Sequence, residues 1–211
     1  MNLADKLTDS LARDPDRTAL RLDEAELSYA QLDDASARVA GLLREKGLEP
    51  GDRVGIMLPN VPYFPIVYYG VLRAGGVVVP MNVLLKGREV NFYLGDPEAK
   101  FCFAWGGFAE AAEAGAAAPG AELVLVEAGK FDALLGQAEP DAAIIDRAED
   151  DTAVLLYTSG TTGAPKGAEL THANLARNVE SCLKLFETTS DDVVLGALPL
   201  FHSFGQTCGL N

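Results

Sequence analysis

The 211 residues, 48% of them hydrophobic, are enough for one domain or two small ones with a real core, and they exclude a disordered chain. A formal net charge of −14 argues against nucleic acid and anionic membrane surfaces as partners. It leaves ATP open, because nucleotide binding depends on the local field and magnesium rather than on net charge.

In chain order, Leu3, Leu7 and Leu11 have the spacing of a short amphipathic helix that Pro15 stops. Thr18–Leu22 and Glu26–Tyr29 flank an acidic turn and predict a small hairpin. Ser28 and Gln31 have capping-box spacing, and Leu32, Ala35, Val39, Leu42 and Leu43 line one face of the next helix. Gly47 is placed to end it.

Pro50-Gly51-Asp52 turns into a buried strand, Arg53–Leu58. A helix over 61–74 and a strand at Val77–Val79 follow, then a helix at 87–95, a strand at Lys100–Trp105, a helix at 107–117 and a strand at Glu122–Val126. Helices and strands alternating at these lengths predict an α/β fold, with mostly parallel sheets flanked by helices. The apolar stretch Phe64–Met81 contains Pro65, Arg73 and Gly75-Gly76, so it reads as helix then strand and not as a transmembrane segment. The first residues carry no apolar signal core. Segment 128–151 is acidic and weakly periodic and reads as a connection.

The connection leads to Thr152-Ala-Val-Leu-Leu-Tyr157, a strand-like apolar run, and then to Thr158-Ser-Gly-Thr-Thr-Gly-Ala-Pro-Lys166-Gly167. Four hydroxyls (Thr158, Ser159, Thr161, Thr162) and three glycines (Gly160, Gly163, Gly167) surround Lys166. Glycines let backbone N–H groups approach a polyphosphate, hydroxyls donate to its oxygens, and the lysine supplies a mobile charge. Lys166 is the only Lys or Arg between Arg147 and Arg177, so it is no part of a basic surface. Composition alone also suits a polar surface turn. The triphosphatase P-loop, G-x-x-x-x-G-K-[ST], fails on detail: two residues separate Gly163 from Lys166, and Gly167 stands where Ser or Thr is needed.

Beyond the loop, Thr171 is placed to cap a helix reaching Phe186, and a strand is expected over Val193–Leu198. The ending, Leu198 to Asn211, is largely apolar, as expected of a chain cut within a domain. Cys102, Cys182 and Cys208 form an odd, widely spaced trio. That usage suits a reducing, cytoplasmic setting, offers no metal site and makes buried structural thiols the expectation.

The loop resembles, nearly letter for letter, the phosphate loop of the AMP-forming acyl-CoA synthetase and adenylation-domain superfamily. The likeness runs from about residue 26 to the end, through Leu27-Ser-Tyr-Ala-Gln-Leu32, Gly51-Asp-Arg-Val54, Ala74–Asn82 and Pro199-Leu-Phe-His202. It implies a ligase that activates a carboxylic acid with ATP to acyl-AMP and passes the acyl group to coenzyme A. It also implies that Thr158, Ser159, Gly160, Thr161, Thr162, Gly163 and Lys166 bind the phosphates, with Thr158 meeting Mg²⁺. Lys166 and His202 are the implied catalytic residues, His202 bordering the acyl chain. Thr161-Thr162 and Lys166–His172 look more like fatty-acid–CoA ligases than carrier-protein-loading adenylation domains, so the expected acid is a fatty acid.

The resemblance implies that residues 1–211 are the N-terminal part of the AMP-binding domain, with the magnesium glutamate, ribose aspartate, hinge and small C-terminal lid domain lying beyond Asn211. Such a fragment is expected to be inactive alone and to self-associate through the surface it leaves uncovered. The rival is a nucleotide-binding or interaction remnant that kept the loop and lost the chemistry.

Overall fold

The computed structural model describes residues 1–158 and 165–211. Its centre is a six-stranded sheet built from β3 (Arg53–Met57), β4 (Val77–Pro80), β5 (Phe101–Trp105), β6 (Glu122–Val126), β7 (Thr152–Thr158) and β8 (Lys166–Thr171), in the order β6-β5-β3-β4-β7-β8. All neighbours pair in parallel except β7 and β8, which form an antiparallel edge hairpin. A separate two-stranded ribbon, β1 (Thr18–Leu22) with β2 (Ala25–Ser28), precedes it.

The strands alternate between two apolar layers, as a sheet covered on both faces requires. Val54 and Ile56 of β3 and Phe101 and Phe103 of β5 face one core, while Met57, Cys102 and Ala104 face the other. The larger core is closed by α1 (Asp5–Arg13), α2 (Tyr29–Glu45), α3 (Tyr63–Arg73), α6 (Lys130–Gln137) and α7 (His172–Phe186). The smaller is closed by α4 (Gly87–Gly95) and α5 (Ala109–Ala116). A Cβ on Gly55 would lie 2.7 Å from Leu94 Cδ2 and 2.9 Å from Met81 Cε, so any side chain there would have to displace these two from against β3. Among the described residues, no helix is long and apolar enough to cross a membrane.

The local signals act where the sequence places them. Ser28 and Gln31 close a reciprocal capping box on α2, and Gly47, at φ 86°, takes the left-handed turn that ends it. Thr171 and Asn174 cap α7 in the same way.

Three expectations are corrected. Val193–Leu198 is irregular and pairs with no described strand; Val193 is 93% and Leu195 86% exposed. Its β-branched and leucine residues favour a strand, yet neither sheet edge, β6 or β8, runs beside it. Segment 128–151 is not a bare connection, since it holds α6, whose Phe131 and Leu135 are buried. The thiols are not uniformly buried: Cys102 is, whereas Cys182 and Cys208 are partly exposed.

Candidate functional site

In a parallel sheet the carboxyl ends of the strands share one edge, and ligands collect there where neighbouring strands send their connections to opposite sides. Here β4 is added on one side of β3 and β5 on the other, so the order reverses between β3 and β5. The candidate residues follow the carboxyl ends of β3 and β7, on that same edge of the sheet with β4 between them.

Thr158 is the last residue of β7 and Lys166 the first of β8, and they are directly paired in the hairpin register. Directly paired residues place their side chains on the same face of the sheet. Residues at alternate positions from them, Leu156 and Leu170, pack against the larger core, so Thr158 and Lys166 project on that side. Both are exposed. Ser159, Gly160, Thr161, Thr162 and Gly163 lie outside the described residues. The chain thus leaves a parallel strand, and Lys166 opens a strand instead of a helix, unlike the arrangement of a triphosphatase P-loop.

The opposite face of β7 is locked by Tyr157. Its hydroxyl donates to Asp96 at 2.5 Å, and its ring lies 4.5 Å from Tyr93 and 5.8 Å from Phe92. Burial, then the Asp96 carboxylate, pushes the Tyr157 phenol well above its usual range. A Cβ on the paired Gly167 would lie 3.1 Å from Leu155 Cδ1 and 3.4 Å from the Tyr157 ring, so Leu155 is the side chain that glycine accommodates most closely. Tyr157 and Asp96 therefore fix the strand end from which the loop departs.

The second piece of the site is held by Asn60, just past β3. Its Nδ2 donates to the carbonyls of Gly196 and Leu198 at 2.9 and 2.8 Å, and its Oδ1 accepts the Leu200 N–H at 3.0 Å. One side chain so satisfies three backbone groups of an otherwise irregular segment. The segment then turns into α8 (Ser203–Gly209), with the buried Gln206 donating to the Leu200 carbonyl at 2.9 Å. A Cβ on Gly205 would fall 2.2 Å from the Pro199 carbonyl, so only glycine allows this turn. Leu200 belongs to the larger core. Pro199–His202 consequently lies at the same edge of the sheet, and on the same side of it, as Thr158 and Lys166.

His202 precedes α8 and is exposed, its ring 5.2 Å from that of Phe201. Among the described residues, no three His, Cys, Asp or Glu side chains gather in a metal-binding cluster. Sequence reading did not single out Asn60, Asp96, Gly205 or Gln206. Their partners lie six to 140 positions away, and none of the four stands inside a motif given above.

Comparison with known proteins fits this geometry. Residues 7–211 match the family described as AMP-binding enzyme. The chain belongs to that family. Among its relatives, feruloyl-CoA synthase of Amycolatopsis is 38% identical over 92% of this chain and 38% of its own length. A long-chain-fatty-acid–CoA ligase of Bacillus subtilis is 32% identical over 97% of this chain and 43% of its own. ATP-bound MatB from Rhodopseudomonas palustris superposes with a TM-score of 0.90 at 35% identity, covering 100% of this chain and 43% of that one. This AMP-binding enzyme chain spans about two fifths of the length of the relatives it matches. Its sheet corresponds to the N-terminal part of the large domain of the adenylate-forming fold.

Proposed function

We propose that this chain is the N-terminal part of the AMP-binding domain of an acid–thiol ligase, and that it supplies the phosphate-facing half of the active site. The supporting observation is the pairing of Thr158 with Lys166 at the mouth of the loop, on the side and edge where Asn60 holds Pro199–His202. In the proposed reaction the acid's carboxylate attacks the α-phosphorus of ATP, and the bond to pyrophosphate breaks. Coenzyme A thiol then displaces AMP from the acyl group.

Negative charge grows on the departing pyrophosphate in the first step. A lysine ammonium and hydroxyl donors fixed where that charge develops lower the barrier without reorganising. The donor chemistry at the strand ends fits a polyphosphate: an exposed cation, a hydroxyl beside it and a Cβ-free neighbour at Gly167. When bound, Mg²⁺ would neutralise phosphate charge, and the Thr158 hydroxyl is the oxygen we assign to that ion's shell. His202 is assigned to the acyl side. The acid we propose is a fatty acid, supported by Thr161-Thr162 and the Lys166–His172 stretch. Because the relatives include a feruloyl-CoA synthase as well as fatty-acid ligases, the assay panel contains both aryl and alkyl acids.

The test is Lys166→Ala in the complete ligase, read by pyrophosphate release. Loss of one such donor costs on the order of 3 kcal/mol in the transition state, roughly a hundredfold in kcat. KM for the acid should stay nearly constant. Equal kcat in mutant and parent would remove Lys166 from the mechanism.

A further inference from the structure

Two of the three cysteines, though 26 positions apart, meet at the junction of α7 and α8. The Cys208 thiol donates to the Cys182 sulfur at 3.6 Å. Beside them, the Asn178 amide donates to the Thr207 hydroxyl at 3.4 Å. Asn178 and Cys182 are one turn apart on α7, and Thr207 and Cys208 are adjacent on α8, so the two helices meet along a defined line. Both sulfurs are partly exposed, unlike that of Cys102, which is buried and whose thiol burial pushes up to about 12. Cys102 is therefore a packed thiol, and the pair is of a different kind.

We propose that Cys182 and Cys208 form a reversible disulfide that latches α8, and the Pro199–His202 turn before it, to α7. The sulfurs face one another at 3.6 Å, so bond formation requires them to close by about 1.5 Å. The oxidant is a low-molecular-weight disulfide such as oxidised glutathione. One cysteine gives up its proton, and its sulfur attacks a sulfur of the small disulfide. A mixed disulfide forms, and one small thiolate leaves and takes up that proton. The other cysteine likewise loses its proton, attacks the mixed disulfide at the protein sulfur and expels the second small thiolate, which is protonated in turn. Two cysteine thiols are oxidised and one small disulfide is reduced to two thiols.

The latch has something to hold. Thr189 through Pro199 is exposed, and α8 is only seven residues long. In the reduced state α8 is tied through Asn178–Thr207, Gln206–Leu200 and the Tyr69 hydroxyl, which donates to the Leu210 carbonyl at 3.1 Å just past the helix. A covalent bond at Cys208 closes the intervening chain into a loop pinned at α7 and fixes the helix that follows His202. The latch depends on the two helices alone and not on the reaction proposed above.

The test uses the reduced full chain incubated with oxidised glutathione, blocked with an alkylating agent, digested and mapped by mass spectrometry. The expected product is a peptide pair joined through Cys182 and Cys208, lighter by two hydrogens than its parts and separated by dithiothreitol. It should be lost in Cys182→Ser and in Cys208→Ser and kept in Cys102→Ser. A second readout is nicking within 189–199 by protease: the pieces should stay together on a non-reducing gel only after oxidation. Recovery of Cys182 and Cys208 from the parent chain as alkylated thiols, or as separate glutathione adducts, would overturn the proposal. The parent chain alone decides between these outcomes, so a variant that fails to fold does not blunt the test.

Discussion

His172 sits at the first turn of α7 with 1% of its surface exposed, and its Nδ1 accepts the Leu3 N–H at 3.0 Å. The proton of the neutral ring is therefore on Nε2, which meets no partner among the described residues. Burial, and then the Arg147 guanidinium, lower its pKa from 6.5 to about 4; Asp151 and Asp5 oppose the shift, while the Met1 amino group adds to it. A folded pKa below the unfolded one means the unfolded chain takes up the proton first. The stability associated with the neutral ring is complete above pH 6.5 and is lost as pH falls from there toward 4. One proton sets a slope of at most about 1.4 kcal/mol per pH unit in that window. Urea midpoints measured at pH 7, 6 and 5 should fall for the parent and fall less steeply for His172→Gln. Parallel profiles would take His172 out of the acid response.

Asn60 works on a whole segment. Leu195–Leu200 has no ladder to satisfy its backbone, and three of its polar groups lean on this one amide. Asn60→Ala leaves them to water or unpaired, at about 1–3 kcal/mol for each group that stays buried. The expected result is a small fall in Tm with a large gain in amide hydrogen exchange across 196–202. In the complete ligase, kcat for adenylation should drop while nucleotide affinity is kept. Unchanged exchange over those residues would show that other contacts hold the segment.

The same contrast between local and distant signals marks how much the sequence disclosed. The capping box at Ser28, the cap at Thr171, the glycine stop at Gly47 and the β–α alternation of residues 53–126 are local codes, and they were legible. Residues 138–151 are held by remote groups. Arg38 donates to the Ala138 carbonyl at 3.0 Å, Arg73 to that of Ala142 at 2.9 Å and Asn2 to that of Ile145 at 2.9 Å. Such docking has no period, so 128–151 read as a mere connection. The Val193–Leu198 error has the opposite origin: its strand propensity was read correctly, but propensity does not supply a neighbour. Of the site, the loop chemistry and Pro199–His202 were legible as motifs, whereas Asn60, Asp96 and Gln206 are joined to it only by folding.

At the scale of the whole molecule, the proposed reading assigns Lys166, Thr158 and the residues between them to the phosphates and assigns no residue of the 211 to ribose or to the attacking carboxylate. Holding two reactants together contributes roughly 7–11 kcal/mol of barrier lowering, which half a site does not provide. These residues alone should therefore release no pyrophosphate from ATP and Mg²⁺ with any acid in the panel. Their surface carries a second consequence. Leu185 and Phe186 at the end of α7, Val193 and Leu195 in the irregular segment, and Phe204 on α8 are all more than half exposed within 20 positions of one another. Large apolar patches are seldom left open on soluble monomers, and these five side chains are the ones available to form one. The isolated chain is thus expected to self-associate, with a mass in solution above 22.3 kDa that rises with concentration. Val193→Asp combined with Leu195→Asp should return it to the monomer mass without changing its far-UV circular dichroism. A parent chain that stays monomeric at every concentration would remove the uncovered-surface argument, and turnover near that of complete ligases would remove the half-site one.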